Sequence, residues 1–423
     1  MVRGINKIIY ILIIAVLASC NSTEKKQKKV KPMIASQILG NPDYLAISYG
    51  GYRTNSRDTQ PTVKEIKEDL KLLGAIGIKV LRTYNLQLTQ ASNVLKAIQE
   101  LKNEKPSFEM YVMLGAWIDC KGAWTENPNH DLEDEVNNSS EIEKAVKLAN
   151  QYPEIVKIIA VGNEAMVKWA GSYFVQPWVI LKWINHLQEL KNKDKLSKDV
   201  WITTSDNFAS WGGGDVIYHN EDLENIYKSV DYVSMHTYPM HDTHYNPVFW
   251  GVLPEEEGFS KEAKINASMQ RAKEYAVSQY DSVKNYMKSI GIDKPIHIGE
   301  TGWASFSNGQ YGVNKANATD EYKEALFYNA MRDWTAKEGM SCFFFEAFNE
   351  NWKDAQNPGG SENHFGLFTL EGKAKYVLWN VFDKGGFKGL TRNGKSIEKT
   401  YNGDAAQLME EVTIPYTKAL QEH

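Results

Sequence analysis

Cysteine is scarce in this chain, and its scarcity excludes several classes of protein. Only 3 of the 423 residues are cysteine, and no Cys/His cluster has the spacing of a structural metal site. Cys120 and Cys342 could pair in an exported protein, but they fall on predicted strands that are not neighbours. We therefore expect two buried free thiols, no metal site and no cofactor.

Charge of one sign is also missing. The 48 Lys and Arg residues nearly balance the 53 Asp and Glu residues, which gives a net charge of −5. No basic block occurs beyond the N-terminus, so nucleic acid is not an expected partner. No internal repeat or low-complexity segment interrupts the main part of the chain. The length and the 42% hydrophobic content suit one large α/β barrel with extensions.

Long hydrophobic runs are absent as well. The apolar run at residues 8–18 has eleven residues and follows Arg3 and Lys7, which is too short to span a membrane and typical of a signal peptide. The next residues, Leu-Ala-Ser-Cys at 17–20, resemble a bacterial lipobox in which Cys20 is acylated. The alternative is an ordinary signal peptide followed by a chance cysteine.

These features divide the chain into three parts. Residues 1–19 are predicted to be a lipoprotein-type signal peptide, and residues 20–40 the lipidated Cys20 with a lysine-rich flexible linker. Residues 41–423 are predicted to form a single catalytic domain, with an extension at 386–423 that packs across its base or side. We expect an exported monomer anchored to a bacterial membrane through lipid only, with the outer membrane or cell surface favoured.

Eight short β-branched or aromatic runs alternate with longer amphipathic stretches, which predicts a (β/α)8 TIM barrel of class α/β. An open doubly wound sheet is the alternative, but no Gly-rich phosphate loop follows the first strand. The predicted strands are 45–51, 79–84, 108–117, 156–162, 200–204, 231–236, 295–300 and 341–348. The predicted helices are 62–76, 89–103, 140–150, 179–190, 221–229, part of a long 239–290 insertion, 319–337 and 373–382.

Two of the predicted strands end in a glutamate after a glycine. Strand four ends in Val-Gly-Asn-Glu at 161–164, and strand seven runs into Gly-Glu-Thr-Gly-Trp at 299–303. In a barrel these ends face one another across one mouth, where two carboxylates can cleave a glycosidic bond. Each glutamate alone is better explained as a salt-bridged strand end, but two matching motifs at these strand numbers favour catalysis.

These motifs resemble those of clan A glycoside hydrolases, and most closely glycoside hydrolase family 17, the β-1,3-glucanases. Supporting matches are Leu-Arg-Thr-Tyr at 81–84, Phe-Glu-Ala-Phe-Asn-Glu-Asn-Trp-Lys at 345–353 and His-Phe-Gly-Leu at 364–367. The resemblance spans roughly residues 44–383. Two departures are Ala304, where a proline often follows the tryptophan, and the 239–290 insertion, which affects the shape of the cleft.

The resemblance and the chemistry of the reaction assign roles to these residues. Glu300 is predicted to be the nucleophile, kept ionised by Arg82 and oriented by Tyr238. Glu164 is predicted to be the acid/base, which starts protonated. Asn163 is expected to hold the sugar 2-hydroxyl.

Other residues are weaker candidates for contact with the substrate. Glu350 and Lys353 form either a polar pair on the floor of a subsite or a structural ion pair, and both interpretations stay open. Two glycines let the first strand end pass close to the substrate or form a turn of positive φ. These two glycines are Gly50 and Gly51. The remaining candidates for substrate contact are Tyr84, Trp303 and Trp352, and Trp117 and Trp124 are expected to extend the cleft. Core packing is the alternative for each tryptophan.

His241 and His244 suggest a metal site, but no third ligand is evident and plain loop residues are favoured. The 12 Trp and 22 Tyr residues offer stacking surfaces for sugar rings. The expected function is a retaining, endo-acting hydrolase of β-1,3-glucans such as laminarin. The alternatives are an exo-acting glucosidase or a transglycosylase on the same site, and a non-catalytic surface glycan-binding protein, which the intact carboxylates argue against.

Overall fold

A computed structural model describes residues 33–416, and its centre is a closed barrel of eight parallel strands. Each strand pairs with the next along the chain, and β8 closes the ring on β1, with Ala46 opposite Phe343. The predicted (β/α)8 barrel is therefore confirmed. The strands are β1 Leu45–Ser48, β2 Ile78–Arg82, β3 Tyr111–Ala116, β4 Val156–Asn163, β5 Trp201–Asn207, β6 Val233–His236, β7 Ile296–Gly302 and β8 Cys342–Phe345.

The alternation of side chains along each strand builds two apolar layers. In β4, Ile158 and Ala160 point into the barrel, whereas Ile159 and Val161 pack outward under the helices. Successive side chains of a strand point to opposite faces, so the unbroken apolar runs of the sequence reflect burial on both sides.

Helices surround the barrel close to where the sequence predicts them, with two exceptions. Asp134 caps a helix that begins at Glu135, earlier than the predicted 140, because its side chain accepts from the Asn137 N–H. The predicted helix 373–382 is wrong: a 3-10 turn, Tyr376–Leu378, leads into a short helix. The α-helices are Ala35–Ile38, Val63–Ala75, Gln90–Glu104, Glu135–Gln151, Pro177–Asn192, Glu221–Ser229, Pro239–Tyr245, Lys261–Ser289, Glu321–Lys337, Trp379–Asp383 and Ala405–Glu411.

The start of the described chain is part of the domain, which corrects the predicted linker at 20–40 for its residues from 33 onward. Ala35 and Ile38 are fully buried, and Leu39 is nearly so. They pack against the interior residues Ala46 and Phe343 at the N-terminal end of the barrel. The segment is too short to show helical periodicity in the sequence. A helix of this length is not stable by itself, so its packing against the barrel explains why it forms.

Shortening one of these buried side chains is expected to weaken the barrel. Ile38→Ala removes a fully buried side chain, and we expect the free energy of unfolding to fall by about 2–5 kcal/mol. Urea unfolding measures the loss, and Ser36→Ala on the exposed face of the same turn is the control. Equal stability of both variants would show that this segment is not part of the core.

Two excursions from the barrel shape its upper face. After β3, Cys120–Lys121 pairs with Asn129–Glu133 in a short antiparallel sheet. Cys120 therefore lies outside the barrel strands, contrary to the prediction, although it and Cys342 are both buried free thiols as expected. The 239–290 insertion forms the helix Pro239–Tyr245, two 3-10 turns and the helix Lys261–Ser289.

The C-terminal extension packs on the side of the barrel, one of the two predicted places. Its hairpin, Thr391–Arg392 with Lys395–Ser396, contacts the first long helix. Arg392 is fully buried, and its Nε donates to Asp69 Oδ1 at 3.1 Å. Asp69 also accepts from Arg53 at 2.8 Å, so one carboxylate joins the tail to the loop after β1.

The predicted signal peptide and Cys20 lie outside the described residues. Between residues 33 and 416, no helix combines the length and the apolar character needed to cross a membrane.

Candidate active site

A cleft of about 1200 Å³ opens at the C-terminal ends of the strands. Its lining comes from the ends of β1 to β8 and from the insertion after β6, which contributes His241, Asp242 and Tyr245. The two predicted catalytic glutamates, Glu164 and Glu300, both line it. This is the face on which the active sites of (β/α)8 enzymes lie.

Glu300 is held by three donors from two other strand ends. Arg82 Nη1 donates to Glu300 Oε2 at 2.7 Å, and the Tyr84 hydroxyl donates to the same oxygen at 2.9 Å. The Tyr238 hydroxyl donates to Oε1 at 2.6 Å. The predicted positions of Arg82 and Tyr238 are therefore confirmed.

The surroundings of Glu300 favour its ionised form. Burial by itself raises the pKa of Glu300, but the His236 ring, the Arg82 charge, the Tyr238 hydrogen bond and Lys353 outweigh burial and leave the pKa below its usual value. Burial and the Glu300 charge raise the pKa of Tyr238 well above its usual value, so this tyrosine stays a donor. Glu300 is thus a carboxylate at neutral pH.

Removing the Tyr238 hydroxyl is expected to move the acid limb of the pH–activity profile. The Tyr238 hydrogen bond favours the charged form of Glu300, so Tyr238→Phe should raise the pKa of Glu300. With Glu300 as the predicted nucleophile, activity depends on its ionised form and should be lost at a higher pH than in the wild type. The limb of kcat/KM against pH measures the shift.

Tyr311→Phe is the matched control, because the Tyr311 hydroxyl contacts His241 Nδ1 at 3.0 Å and not Glu300. An acid limb that stays in place in Tyr238→Phe would show that this hydroxyl does not set the ionisation of Glu300.

Glu164 lies on a strained turn just after β4. Its φ is +45°, which is uncommon for a residue other than glycine and typical of functional sites. The Glu164 N–H donates to the Ser205 carbonyl at 3.0 Å, and the Met166 N–H donates to Asp206 Oδ2 at 2.8 Å. Burial raises the pKa of Asp206 to about 6, against the hydrogen bonds from Ser210 and Met166. Asp206 supports the turn that presents Glu164.

His236, at the end of β6, connects the two glutamates. Its Nδ1 lies 3.2 Å from Glu164 Oε1, and its Nε2 lies 3.2 Å from Arg82 Nη1 and 2.8 Å from Ser205 Oγ. Neither His236 nor Asp206 is predicted from the sequence as a site residue. Their positions at the C-terminal ends of β6 and β5 are the signal that identifies them.

Asn163 contributes through its amide. Arg82 Nη2 donates to Asn163 Oδ1 at 2.5 Å. Because a guanidinium only donates, the amide oxygen faces Arg82, and its NH2 group remains as a donor. Asn163 lines the cleft, as predicted.

Glu350 and Lys353 do not pair with each other, contrary to the predicted ion pair. Lys353 Nζ lies 3.6 Å from Glu346 Oε2, while Glu350 Oε2 accepts from Trp352 Nε1 at 3.0 Å. Burial, followed by the Glu350 charge, raises the pKa of Glu346 well above its usual value. Glu350, Lys353 and Trp352 line the cleft, so the subsite interpretation gains support and the direct ion pair is wrong.

Trp303 is not a stacking platform, which corrects the prediction. It is fully buried, and its Nε1 donates to the Ala318 carbonyl at 2.7 Å. Its ring packs against Trp250 and Phe327, with centroids 5.6 and 5.0 Å apart. The side chain points behind the barrel wall and fills the space under the surrounding helices. Trp117 and Trp124, in contrast, line the cleft as predicted.

The remaining candidates are explained by local geometry. Gly51 has φ +76°, and a Cβ on Gly50 would lie 1.7 Å from Glu350 Oε1. The predicted turn of positive φ is therefore present at Gly51, whereas Gly50 makes room for Glu350 and its approach to the substrate stays a prediction. His241 and His244 lie on the helix Pro239–Tyr245. Among residues 33–416, no three His, Cys, Asp or Glu side chains are grouped to hold a metal.

A (β/α)8 barrel with two carboxylates at the ends of β4 and β7, in a cleft rich in aromatic residues, defines a glycoside hydrolase domain. Comparison with known proteins gives the family. The chain belongs to the BtgE/BtgC glycoside hydrolase domain family, whose model matches residues 46–366. The finer assignment to glycoside hydrolase family 17 stays a prediction.

Three relatives illustrate the range of similarity. An endo-laminarinase from Formosa Hel1_33_131 is 66% identical, with a TM-score of 0.90 over 91% of this chain and 98% of its own. A probable glucan endo-1,3-beta-glucosidase, btgC of Aspergillus fumigatus, is 24% identical over 320 residues. An active-site mutant of Rhizomucor miehei beta-1,3-glucanosyltransferase, in complex with laminaritriose, is 22% identical with a TM-score of 0.53 over 77% of this chain and 93% of its own, a likeness of fold alone.

The Aspergillus relative is much longer than this domain. The match covers 73% of this chain but only 38% of the relative.

Proposed function

We propose that the protein is a retaining glycosidase that cleaves β-1,3-glucosidic bonds within glucans such as laminarin. The observation on which this rests is the pairing of Glu300, held ionised by Arg82, Tyr84 and Tyr238, with Glu164 in one cleft. The 66% identical endo-laminarinase supports the substrate class.

The first step forms a glycosyl-enzyme. A Glu300 oxygen bonds to the anomeric carbon while the bond from that carbon to the bridging oxygen breaks. Glu164 gives its proton to the bridging oxygen, so the leaving sugar departs as a neutral alcohol. The NH2 group of Asn163 donates to the sugar 2-hydroxyl, an interaction that strengthens in the transition state.

The second step releases the sugar. Glu164, now a carboxylate, takes a proton from a water whose oxygen bonds to the anomeric carbon, and Glu300 leaves as a carboxylate. A sugar hydroxyl in place of water gives transglycosylation by the same route. The configuration at the anomeric carbon is retained because it is inverted twice.

The β8 side of the cleft suits the sugars upstream of the cleaved bond. Glu350 lines the cleft, and its Oε1 is buried and accepts no hydrogen bond from the residues that the structure describes. Sugar hydroxyls are the donors that such oxygens need. Trp352, next to Tyr52 at 5.8 Å between ring centroids, adds an aromatic surface there.

The size of the cleft favours attack within a chain. Its volume of about 1200 Å³ exceeds the roughly 300–1,000 Å³ typical of a site for one small molecule. Its lining extends from Arg57 and Trp352 to Trp124 and Trp169.

The sizes of the products over time test this proposal. An endo-acting hydrolase releases a mixture of oligosaccharides from laminarin early in the reaction, whereas an exo-acting enzyme releases one small sugar and a transglycosylase also makes products longer than its substrate. The absence of any product from every β-1,3- or mixed-linkage glucan would refute the proposed function.

We further propose that Cys20 carries a lipid that anchors the exported domain to a membrane, as the lipobox-like residues 17–20 indicate. Cys20→Ser is expected to prevent lipid attachment and to leave unprocessed precursor. Labelling cells with a fatty acid and following the protein on a gel measures both effects. Equal lipid incorporation in wild type and variant would contradict the proposal.

A further inference from the structure

Three aromatic rings form a cluster at the β3–β4 side of the cleft, and two of them are stacked. Trp124 and Tyr173 lie with their centroids 4.9 Å apart and their planes at 20°, and Trp117 lies 5.1 Å from Tyr173. All three line the cleft. Trp124 is 61% exposed. We call Trp117, Trp124 and Tyr173 the aromatic shelf.

A buried carboxylate fixes the shelf. Trp117 Nε1 donates to Asp119 Oδ1 at 2.7 Å. Burial raises the pKa of Asp119, against the effects of Trp117 and the neighbouring Trp124 side chain. Asp119 is itself held, because its N–H donates to Asn138 Oδ1 at 2.9 Å and its carbonyl accepts from Asn138 Nδ2 at 3.0 Å. With the Trp117 N–H engaged by Asp119, the exposed Trp124 ring is left as the surface for a ligand.

The backbone supports the same conclusion. Trp124 has φ +65°, an unfavourable conformation for a bulky side chain. Its N–H donates to the Ser172 carbonyl at 2.8 Å, which ties the hairpin to the loop that contains Tyr173. Such strain persists where the surroundings enforce it, and here it keeps a large apolar ring in solvent.

The shelf lies on the side of the acid/base. Tyr173 is in the loop that follows Glu164, and Trp117 follows β3, the neighbour of β4. Burial raises the pKa of Tyr173, and Glu164 adds more to this rise than Glu300 does. On the other side of the cleft, burial raises the pKa of Glu346, and the charge of Glu300 adds to this rise. The charge of Glu300 also helps to raise the pKa of Lys353 against the effect of burial. The acid/base protonates the oxygen of the leaving group, so the departing sugars lie on the Glu164 side.

We propose that the aromatic shelf binds the leaving-group end of a β-glucan chain, beyond the bond that Glu164 protonates, and that Asp119 is its positioning residue. This inference rests on the proposed function. Pyranose rings present an apolar face to an indole or phenol ring, and the exposed Trp124 ring, packed against Trp117 and Tyr173, offers such a surface. The same surface holds an acceptor sugar whose hydroxyl attacks the glycosyl-enzyme, gives its proton to Glu164 and displaces Glu300.

Two substrates distinguish binding of the leaving-group sugars from an effect on the chemical step itself. A β-1,3-linked glucose hexasaccharide labelled at its reducing end reaches the shelf, whereas an aryl β-1,3-linked disaccharide has only one aromatic ring as leaving group. For Trp124→Ala we expect kcat/KM on the hexasaccharide to fall about 10- to 50-fold. We expect the aryl substrate to change by less than about twofold, since the chemistry and the upstream sugars are untouched.

The bond that is cleaved gives a second readout. Without the shelf, fewer sugars are held on the leaving side, so the main cut in the labelled hexasaccharide should move toward its reducing end. Asp119→Asn keeps the shape but loses an acceptor for one indole, and should show a smaller shift in the same direction. Trp178→Ala, at an exposed tryptophan away from the cleft, is the matched control and should behave as wild type.

An unchanged cleavage pattern and unchanged kcat/KM on the hexasaccharide in both variants would overturn the inference while leaving the proposed function intact. An equal loss on both substrates in Trp124→Ala, without a shift of the cut, would also overturn it. Wild-type protein that cleaves neither substrate would refute the proposed function and the inference together.

Discussion

Replacing Glu300 by glycine is expected to abolish glucan cleavage, with kcat lower by at least about 10⁴-fold. Glu300 forms the bond to the anomeric carbon, and none of the other carboxylates in the cleft has the same three donors, Arg82, Tyr84 and Tyr238. The space left by the side chain admits a small anion. Azide should therefore restore cleavage of an aryl glycoside and give the α-glycosyl azide, because a single displacement inverts the anomeric carbon.

The loss has to be separated from misfolding, because Arg82 is left buried without its partner. Removing one member of a buried pair can cost about 3–5 kcal/mol. Glu300→Gln keeps the shape of the side chain, so it should remain folded by circular dichroism and stay inactive. A β-glycosyl azide from Glu300→Gly, or activity in Glu300→Gln near that of the wild type, would assign the nucleophile elsewhere.

Replacing Glu164 by alanine should have an effect that depends on the leaving group. General acid catalysis contributes about 10²–10⁴-fold, so we expect losses of that size on a glucan, whose leaving alcohol needs a proton. An aryl glycoside with an acidic phenol needs no proton and should form the glycosyl-enzyme at nearly the normal rate. A burst of phenol followed by slow turnover is the expected time course, since Glu164 is also the base for the second step.

Azide distinguishes the two glutamates in this variant. It should accelerate turnover of Glu164→Ala and give the β-glycosyl azide, the product of two inversions. The basic limb of the pH–rate profile should also disappear, because that limb reports the proton on the acid/base. Equal losses on glucan and activated aryl substrate, with the basic limb still present, would show that Glu164 is not the acid.

The two glutamates could be predicted from the sequence because a barrel reduces their placement to a count of strands. Once strands four and seven were recognised, Glu164 and Glu300 had to share a mouth. Arg82 and Tyr238 followed from the same rule. What the sequence did not determine was the direction of side chains beyond a strand end. Trp303 follows Gly302, the last residue of β7, and its indole is buried behind the barrel wall.

Other contacts that the sequence does not predict also have local causes. His236 is fully buried and ends an ordinary apolar strand, so its link between Glu164 and Arg82 depends on contacts across the barrel. The partner of Lys353 is Glu346 at 3.6 Å, while the Glu350 carboxylate accepts from the Trp352 indole instead. The residues at 35–39 follow a lysine-rich stretch that predicts a linker, although Ala35, Ile38 and Leu39 are buried against the barrel.

The anomeric configuration of the first product tests the central assignment most directly. Proton NMR can follow the cleavage of a β-1,3-linked glucose oligosaccharide from the first minutes, before mutarotation equilibrates the anomers. If Glu300 attacks and Glu164 then delivers water to the same face, the β-anomer signal rises first and the α-anomer follows by mutarotation. An α-anomer signal that rises first would contradict the double displacement by these two glutamates.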